Sequence, residues 1–240
     1  TDAQRAADLQ TMLDDTSIKA ILSARGGYGT VRILDAIDFK KFKKHPKWVI
    51  GYSDITVLHS HIHNMGIATL HATMPINFNK DKESTESLHK ALFGEKLTYH
   101  YKSKLANRPG KAEGIVVGGN LSLLYALNGT ASGIDTKNKI LFIEDLDEYL
   151  YHIDRMMLNL KRSGKLKHLE ALVVGGMSDM KDNTIPFGKT AEQIVMDAVK
   201  EYKYPVCFNF PSGHTEKNLA LVFGRKARLD VKRNDVSLIQ

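Results

Sequence analysis

The sequence predicts an α/β protein whose parallel β-strands carry helices on both faces. Two observations lead to this prediction. Short apolar runs of strand length alternate with stretches of helical period along most of the 240-residue chain, which is the pattern of a parallel sheet covered by helices. In addition, 42% of the residues are hydrophobic, so the chain can build a sizeable core in one large domain or two small ones.

The first third of the chain alternates helices and short strands. A helix is predicted at the start, with one apolar face formed by Ala3, Ala6, Leu9, Met12 and Leu13. A glycine-rich loop, Ala24-Arg-Gly-Gly-Tyr-Gly, follows the first strand. The elements predicted after the first helix are a strand at 18–22, a helix at 31–37, a strand at 48–51, a helix through 58–62 and a strand at 67–70.

A polar, charged stretch then separates this part from a second α/β unit. It runs over about 79–111 and predicts a weak helix, an extended piece and a linker. We therefore predict an N-terminal domain at 1–80, a linker region at 81–111 and a C-terminal domain at 112–240. The elements of the last domain are strands at 114–119, 139–143, 171–174, 206–208, 219–223 and 227–231, and helices at 120–127, 149–160 and 190–202.

Charge, hydropathy and cysteine content bound the partners. The net charge is +7, but the basic clusters lack aromatic interleaving or a nucleic-acid motif, so a solvated surface and an acidic small substrate are favoured over nucleic acid. No apolar run approaches the ~18 residues of a membrane helix. The single cysteine, Cys207, lies in an apolar run, which favours a buried strand residue over a nucleophile. We expect a cytoplasmic protein with neither nucleic acid nor membrane as partner.

Ser53 follows a predicted strand at a sharp turn into a helix. Such a turn exposes a serine hydroxyl beside free N–H groups at a helix N-terminus, as in a nucleophile elbow. The stretch lacks the second glycine of G-x-S-x-G, and Ser53 could instead only cap the helix. Likewise, the paired glycines of Ala24-Arg-Gly-Gly-Tyr-Gly could admit a phosphate or an oxyanion close to the backbone, or could form a plain tight turn.

An acidic pair and a histidine supply the other candidate groups. Glu144 and Asp145 end an apolar strand, where carboxylates often line the site of an α/β sheet, although a solvated acidic loop is equally ordinary. His214 lies in a Pro/Gly turn and can act near neutral pH. His59 and His63 would share a helical face without a third ligand, so we do not predict a metal site.

Several stretches, in this order, together resemble the LD-carboxypeptidase family of serine peptidases, also called S66. They are Ala24-Arg-Gly-Gly-Tyr-Gly, Gly51-Tyr-Ser-Asp-Ile-Thr, Gly118-Gly-Asn-Leu-Ser, Leu141-Phe-Ile-Glu-Asp, Tyr151-His-Ile-Asp-Arg and Phe210-Pro-Ser-Gly-His. This resemblance implies Ser53 as nucleophile, His214 as general base and Glu144 as the orienting acid. It also implies an oxyanion hole formed by the backbone N–H of Asp54 and one from the Gly26-Gly27 pair.

The resemblance further implies a substrate, a fold and a length. The family cleaves murein tetrapeptide between an L-centre and terminal D-alanine in cell-wall recycling, without cofactor or metal, and we expect a homodimer. The fold would be an N-terminal domain like that of class I glutamine amidotransferases with a smaller C-terminal swivelling domain. The family usually begins several tens of residues earlier, so we expect a fragment, and it usually has His-Gly-Pro where this chain has His71-Ala-Thr-Met-Pro.

Two rival functions remain at this stage. One is the microcin C immunity branch of the same family, which cleaves peptidyl or aminoacyl nucleotides with the same triad. We expect an aromatic platform for the base in that branch, and the only tryptophan here, Trp48, precedes the serine turn. The other is a non-enzymatic module that binds a phosphate or a peptide carboxylate through its glycine loops.

Overall fold

Two β-sheets organise the chain in a computed structural model that describes residues 1–105 and 107–240. A four-stranded sheet has the order β1-β2-β3-β9, and a seven-stranded sheet has the order β4-β11-β10-β5-β6-β7-β8. The strands are β1 (Ala20–Leu22), β2 (Trp48–Gly51), β3 (Thr69–His71), β4 (Thr98–Lys102), β5 (Gly110–Asn120), β6 (Lys139–Leu146), β7 (Ala171–Ser178), β8 (Val206–Cys207), β9 (Leu221–Phe223), β10 (Lys226–Val231) and β11 (Asp235–Ile239).

Helices cover these sheets and confirm the α/β prediction. The helix α1 starts with a capping box between Thr1 and Gln4. Of the apolar face predicted for it, Ala6, Leu9 and Leu13 are buried, Met12 is half-buried and Ala3 is exposed. The helix predicted at 31–37 is α-helical only over its first turn and continues as a 3-10 helix. The α-helices are α1 (Asp2–Asp14), α2 (Thr30–Ile33), α3 (Lys40–Lys44), α4 (Thr56–His63), α5 (Lys82–Leu92), α6 (Leu121–Leu127), α7 (Leu150–Arg162) and α8 (Ala191–Ala198).

Parallel pairing is confirmed in the central part of each sheet, and antiparallel strands flank it. β1, β2 and β3 pair in parallel, as do β5 through β8. β9 is the exception to the predicted grouping: it pairs antiparallel with β3 in the first sheet instead of joining the later strands. The physical reason is burial, because its three apolar residues pack in one core with Ile50 and Leu70.

The stretch predicted as a weak helix, an extended piece and a linker forms α5 and the edge strand β4. β4 pairs with β11, a strand that the sequence did not predict. β4 is polar in composition, but its Tyr99 is buried. The hydroxyl of Tyr99 donates to the carbonyl of Ala220 at 2.7 Å. Residue 106 of the predicted linker region lies outside the described residues. The domain boundaries stay a prediction.

Contacts between α4 and the second sheet hold the two parts of the chain together where the candidate site lies. The hydroxyl of Thr56, the first residue of α4, accepts from the N–H of Asn120 at 2.9 Å. Ser53 follows β2, Glu144 lies near the carboxyl end of β6, and His214 lies between β8 and β9. The site therefore forms at the carboxyl ends of strands from both sheets, as α/β folds favour. Among the described residues, none of the helices is both long and apolar enough to span a bilayer.

Candidate active site

Ser53 adopts a backbone conformation that serine rarely takes. Its φ is +63°, in the left-handed region, between the extended Tyr52 and the 3-10 helix Ser53–Ile55 that leads into α4. Such a conformation costs a non-glycine residue about 1–3 kcal/mol and is frequent at active sites. The capping interpretation is wrong, because the N-caps of the 3-10 helix and of α4 are Tyr52 and Ile55, neither with a side-chain cap.

The three side chains that the sequence singles out lie in one hydrogen-bonded row. Nε2 of His214 is 3.2 Å from Oγ of Ser53, and Nδ1 of His214 is 2.6 Å from Oε2 of Glu144. These distances are within hydrogen-bond reach for proton transfer between a hydroxyl and an imidazole. Positions that are 161 and 70 residues apart along the chain are thus brought together.

Glu144 is fully buried and faces the backbone of the histidine turn. Its Oε2 atom also accepts from the main-chain N–H of His214 at 3.1 Å. Gly213 makes this approach possible: with φ at +97°, it has no Cβ, and an added Cβ would lie 2.6 Å from Cγ of Glu144. The Pro/Gly turn therefore seats His214 directly over the carboxylate.

His214 is held between this carboxylate and an aromatic ring. Burial favours its neutral form, but the hydrogen bond and the charge of Glu144, with a further contribution from Asp145, raise its pKa above the ordinary value. The ring of Tyr52 packs against the imidazole with centroids 4.9 Å apart. The Tyr52 hydroxyl in turn accepts from Nδ2 of Asn77 at 2.9 Å. The imidazole is thus fixed on both sides.

Asp145, the second member of the acidic pair, has a separate environment. Its carboxylate accepts from Nδ2 of Asn120 at 2.8 Å and from the N–H groups of Ser122 and Leu146, each at 2.9 Å. Burial, and then the charge of Glu144, raise the pKa of Asp145 to about 7. Asp145 therefore fixes the end of β6 and the start of α6, and Glu144 alone contacts the histidine.

The glycine loop lies against the serine turn, as an oxyanion site requires. A Cβ added to Gly26 would be 3.0 Å from Cβ and 3.2 Å from Oγ of Ser53. The Asp54 carboxylate anchors this loop: its Oδ2 accepts from the N–H and the hydroxyl of Thr30 at 2.9 and 2.7 Å. Among the described residues, no backbone hydrogen bond outside the helices and strands uses the N–H of Asp54, Gly26 or Gly27. Their oxyanion role stays a prediction.

Comparisons with known proteins identify the family of the chain. Two family models match, the LD-carboxypeptidase N-terminal domain over residues 1–72 and the LD-carboxypeptidase C-terminal domain over residues 113–229. A protein of Bacillus subtilis (strain 168) named "Probable murein peptide carboxypeptidase" is 41% identical over 95% of this chain and 74% of its own length. The chain belongs to the LD-carboxypeptidase family. A murein tetrapeptide carboxypeptidase of Pseudomonas aeruginosa is 28% identical over 97% of the chain and 79% of that protein.

Solved structures share the fold of this LD-carboxypeptidase family member. Muramoyltetrapeptide carboxypeptidase from Oxalobacter formigenes superimposes with a TM-score of 0.91 at 28% identity, over 100% of this chain and 83% of that one. The microcin C7 self-immunity protein MccF, in complex with aspartyl sulfamoyl adenosine, gives a TM-score of 0.86 at 24% identity, over 100% of this chain and 81% of that one. The second likeness concerns the fold alone.

Several residues around the site of this LD-carboxypeptidase escaped the sequence reasoning. They are Tyr52 and Asn77 beside the imidazole, the side chain of Asp54, and Asn120, which ties Asp145 to α6. Asn120 stands in one of the stretches that carry the family resemblance, so a signal for it was present. Tyr52 adjoins Ser53 in the chain, but nothing in the sequence indicates that its ring packs on the histidine.

The other candidate groups, His59 and Cys207, are buried in the fold. His59 is fully buried, and its ring contacts the hydroxyl of Thr69 and the carbonyl of Gly51 at 2.8 and 2.9 Å, while burial lowers its pKa to about 4. Cys207 is buried in β8, and burial raises the pKa of its thiol to about 12. Within residues 1–105 and 107–240, no cluster of three metal-ligating side chains occurs.

Proposed function

We propose that this LD-carboxypeptidase family member is a serine peptidase that hydrolyses the L,D-peptide bond of murein tetrapeptide and releases terminal D-alanine. The observation that carries the proposal is the row of Ser53, His214 and Glu144, with 3.2 and 2.6 Å between successive partners. The names of the relatives support the substrate, since they include murein peptide and murein tetrapeptide carboxypeptidases. The net charge of +7 suits an acidic peptide.

Acylation uses each member of the row in turn. Nε2 of His214 removes the proton from Ser53 Oγ, and the oxygen attacks the scissile carbonyl carbon. The negative charge on the carbonyl oxygen is stabilised by the N–H of Asp54 and one from Gly26 or Gly27, a contribution of about 3 kcal/mol for each donor in other enzymes. Glu144 keeps the proton on Nδ1 and stabilises the imidazolium that forms.

Collapse of the tetrahedral intermediate breaks the C–N bond. Nε2 of His214 gives its proton to the leaving amine, and D-alanine departs while the rest of the peptide stays on Ser53 as an ester. A water then takes the place of the leaving amine, and His214 removes its proton as it attacks the ester carbonyl. The imidazolium then returns this proton to Ser53 Oγ as the C–O bond of the ester breaks, which releases the acid and completes the turnover without a cofactor or metal.

The finer expectations from the sequence also belong to this proposal. They are the location in the cytoplasm, the role in peptidoglycan recycling, the homodimer, and the description as a glutamine amidotransferase-like domain joined to a swivelling domain. The family supports the recycling role and the description of the fold, and the single buried cysteine fits the reducing cytoplasm.

Trp48 does not supply the aromatic platform that we expect for nucleotide conjugates. Trp48 begins β2, and Ser53 follows the other end of that strand. Its ring packs under the guanidinium of Arg225, 5.4 Å from the ring centroid. The only tryptophan of the chain is therefore engaged at the strand end away from the site, where it cannot stack on a base next to the serine.

Amino-acid release tests the function directly. Murein tetrapeptide and an analogue with L-alanine at the end are incubated with the protein under matched conditions, and the free alanine is quantified. We expect release from the first peptide only. A fluorophosphonate probe on the same samples separates an enzyme from a binding module, because only an activated serine reacts. Equal cleavage of the two peptides contradicts the specificity for terminal D-alanine. Absence of both cleavage and labelling contradicts the proposal that the protein is a serine peptidase.

A further inference from the structure

A cavity of about 330 Å³ borders the candidate base. His214 and Tyr52 form its inner wall, and the chain that follows β3 forms another wall with Asn77 and Lys80. The loop after His214 closes it with Asn218. The cavity is large enough for a small amino acid, and its position next to His214 gives it a specific place in the reaction.

The chemistry of the proposed reaction decides which part of the substrate would lie there. In acylation, the imidazole that took the serine proton must deliver it to the leaving nitrogen, so the leaving residue lies on the His214 side of the scissile bond. For a carboxypeptidase, that residue carries the free C-terminal carboxylate. The cavity beside His214 is therefore the location for an anionic group, one residue beyond the cleaved bond.

The charged residues that line the cavity include one lysine, Lys80, that can pair with such an anionic group. Lys80 has no ion-pair partner among the described residues. Asp81 is engaged elsewhere, because its Oδ2 accepts from the N–H of Ser84 at 2.8 Å as the cap of α5. Glu216, the remaining acid of the lining, is exposed to solvent. Lys80 is thus the lining cation that is free to pair with a ligand.

A second donor in the cavity lining, on the loop after His214, lacks a partner. Asn218 is only 5% exposed, and its Oδ1 accepts from Ser212 Oγ and from Gly213 N–H, each at 2.9 Å. These two contacts fix the orientation of the amide, while its Nδ2 has no hydrogen-bond partner among the described residues. A buried donor without an acceptor is destabilising, so an acceptor supplied by a ligand would relieve that cost.

We propose that Lys80, with Asn218 in the adjoining wall, determines carboxypeptidase specificity by binding the carboxylate of the leaving residue. This inference rests on the proposed function. A lysine ammonium would bind the carboxylate through a charge-assisted hydrogen bond. It explains why cleavage would be confined to the last residue: a longer peptide has no carboxylate at that position.

Paired substrates test the inference. One is murein tetrapeptide with its free C-terminal carboxylate, and the other is the same peptide with a C-terminal amide. We expect the wild type to prefer the free acid in kcat/KM, and the variant Lys80→Met to lose at least about tenfold of that preference, the size of a charge-assisted contact. Lys80→Arg should restore part of the preference because it keeps the charge.

Lys82→Met is the matched control. Lys82 is two residues away, is exposed, and pairs with Glu86 at 3.5 Å on the surface of α5, so the preference should be unchanged in this variant. Circular dichroism confirms that each variant is folded. A wild type that cleaves acid and amide equally, or a folded Lys80→Met protein with the full preference, overturns the inference. Failure of the wild type to cleave either peptide overturns the proposed function instead.

Discussion

Glu144 binds His214 through one oxygen only. Its Oε2 atom accepts from the main-chain N–H of His214 at 3.1 Å and from Nδ1 at 2.6 Å. Its Oε1 atom is buried and has no hydrogen-bond partner among the described residues. A glutamine at this position can keep its oxygen toward both donors, because turning its NH₂ group there would face the main-chain N–H. The charge can therefore be removed while the acceptor geometry is retained.

The variant Glu144→Gln should move the acid limb of the kcat/KM–pH profile to lower pH. The base must be neutral to act, so activity falls as pH falls through the pKa of His214. Glu144 raises that pKa in the wild type, which places the limb above the ordinary ~6.5 of imidazole. With the charge gone, burial still favours the neutral ring, and the pKa should drop. The pH profiles of the two proteins check this, and a limb that stays in place contradicts it.

Removal of the nucleophile and of the base should be equally severe and not additive. We expect Ser53→Ala and His214→Ala each to lower kcat by at least ~10³-fold, and the double variant to be scarcely worse, because such residues act as a unit. Glu144→Gln should cost less than either. Steady-state kinetics measure these losses, and circular dichroism checks folding. A folded Ser53→Ala protein with near-normal turnover, free of wild-type enzyme, would end the serine-peptidase proposal.

Local pattern was enough to predict most helices and the parallel strands, but not how the sheets close. From the sequence alone, β9 resembles the other strands of the C-terminal part. Only its antiparallel pairing with β3 shows that it belongs to the first sheet. Pairing across some 150 residues depends on which apolar faces meet in the core, and no short window of sequence contains that information. For the same reason, the sequence predicted an extended piece in the charged stretch before the second domain, but not that this piece pairs with β11 as the edge strand β4.

The candidate site divides in a similar way. Ser53, Glu144 and His214 could be named because each stands in a family-like stretch, and the fold brings them within hydrogen-bond distance. The contacts that hold them could not be named. The carboxylate of Asp54 binds Thr30, the first residue after the glycine loop, and the ring of Tyr52 packs on the imidazole. Both depend on three-dimensional packing between segments whose sequences carry no mark of their partner.

Gly213 should be intolerant of a side chain for a reason beyond its backbone angle. In Gly213→Ala, the new Cβ would lie 2.6 Å from Cγ and 2.7 Å from Oε2 of Glu144. Either the carboxylate or the histidine turn must move, and we expect this contact to lower stability by about 1–3 kcal/mol in addition to the cost of the left-handed backbone, together with a fall in kcat. Gly188→Ala is the control, because φ is +80° there but no atom lies within 4 Å of an added Cβ.

Thermal unfolding and kinetics of both glycine variants distinguish the cost of a left-handed backbone from the cost of the contact with Glu144. Gly188→Ala should lose only the roughly 1–2 kcal/mol that a left-handed alanine costs, with unchanged kcat. If Gly213→Ala matched it in both measurements, the close packing of Gly213 on Glu144 would have no energetic weight.

The backbone strain at Ser53 should be measurable as stability that the site gives up. Serine at φ +63° occupies a region that glycine enters without a Cβ penalty. Ser53→Ala and Ser53→Gly both remove the hydroxyl and should both be inactive, so they differ chiefly in whether a Cβ is forced into this conformation. We expect Ser53→Gly to be the more stable by about 1 kcal/mol, which is roughly 2–4 °C in Tm for a chain of this size. Calorimetry of the two variants side by side decides it: an alanine variant that melts at the same temperature or higher would mean that the serine turn is not strained.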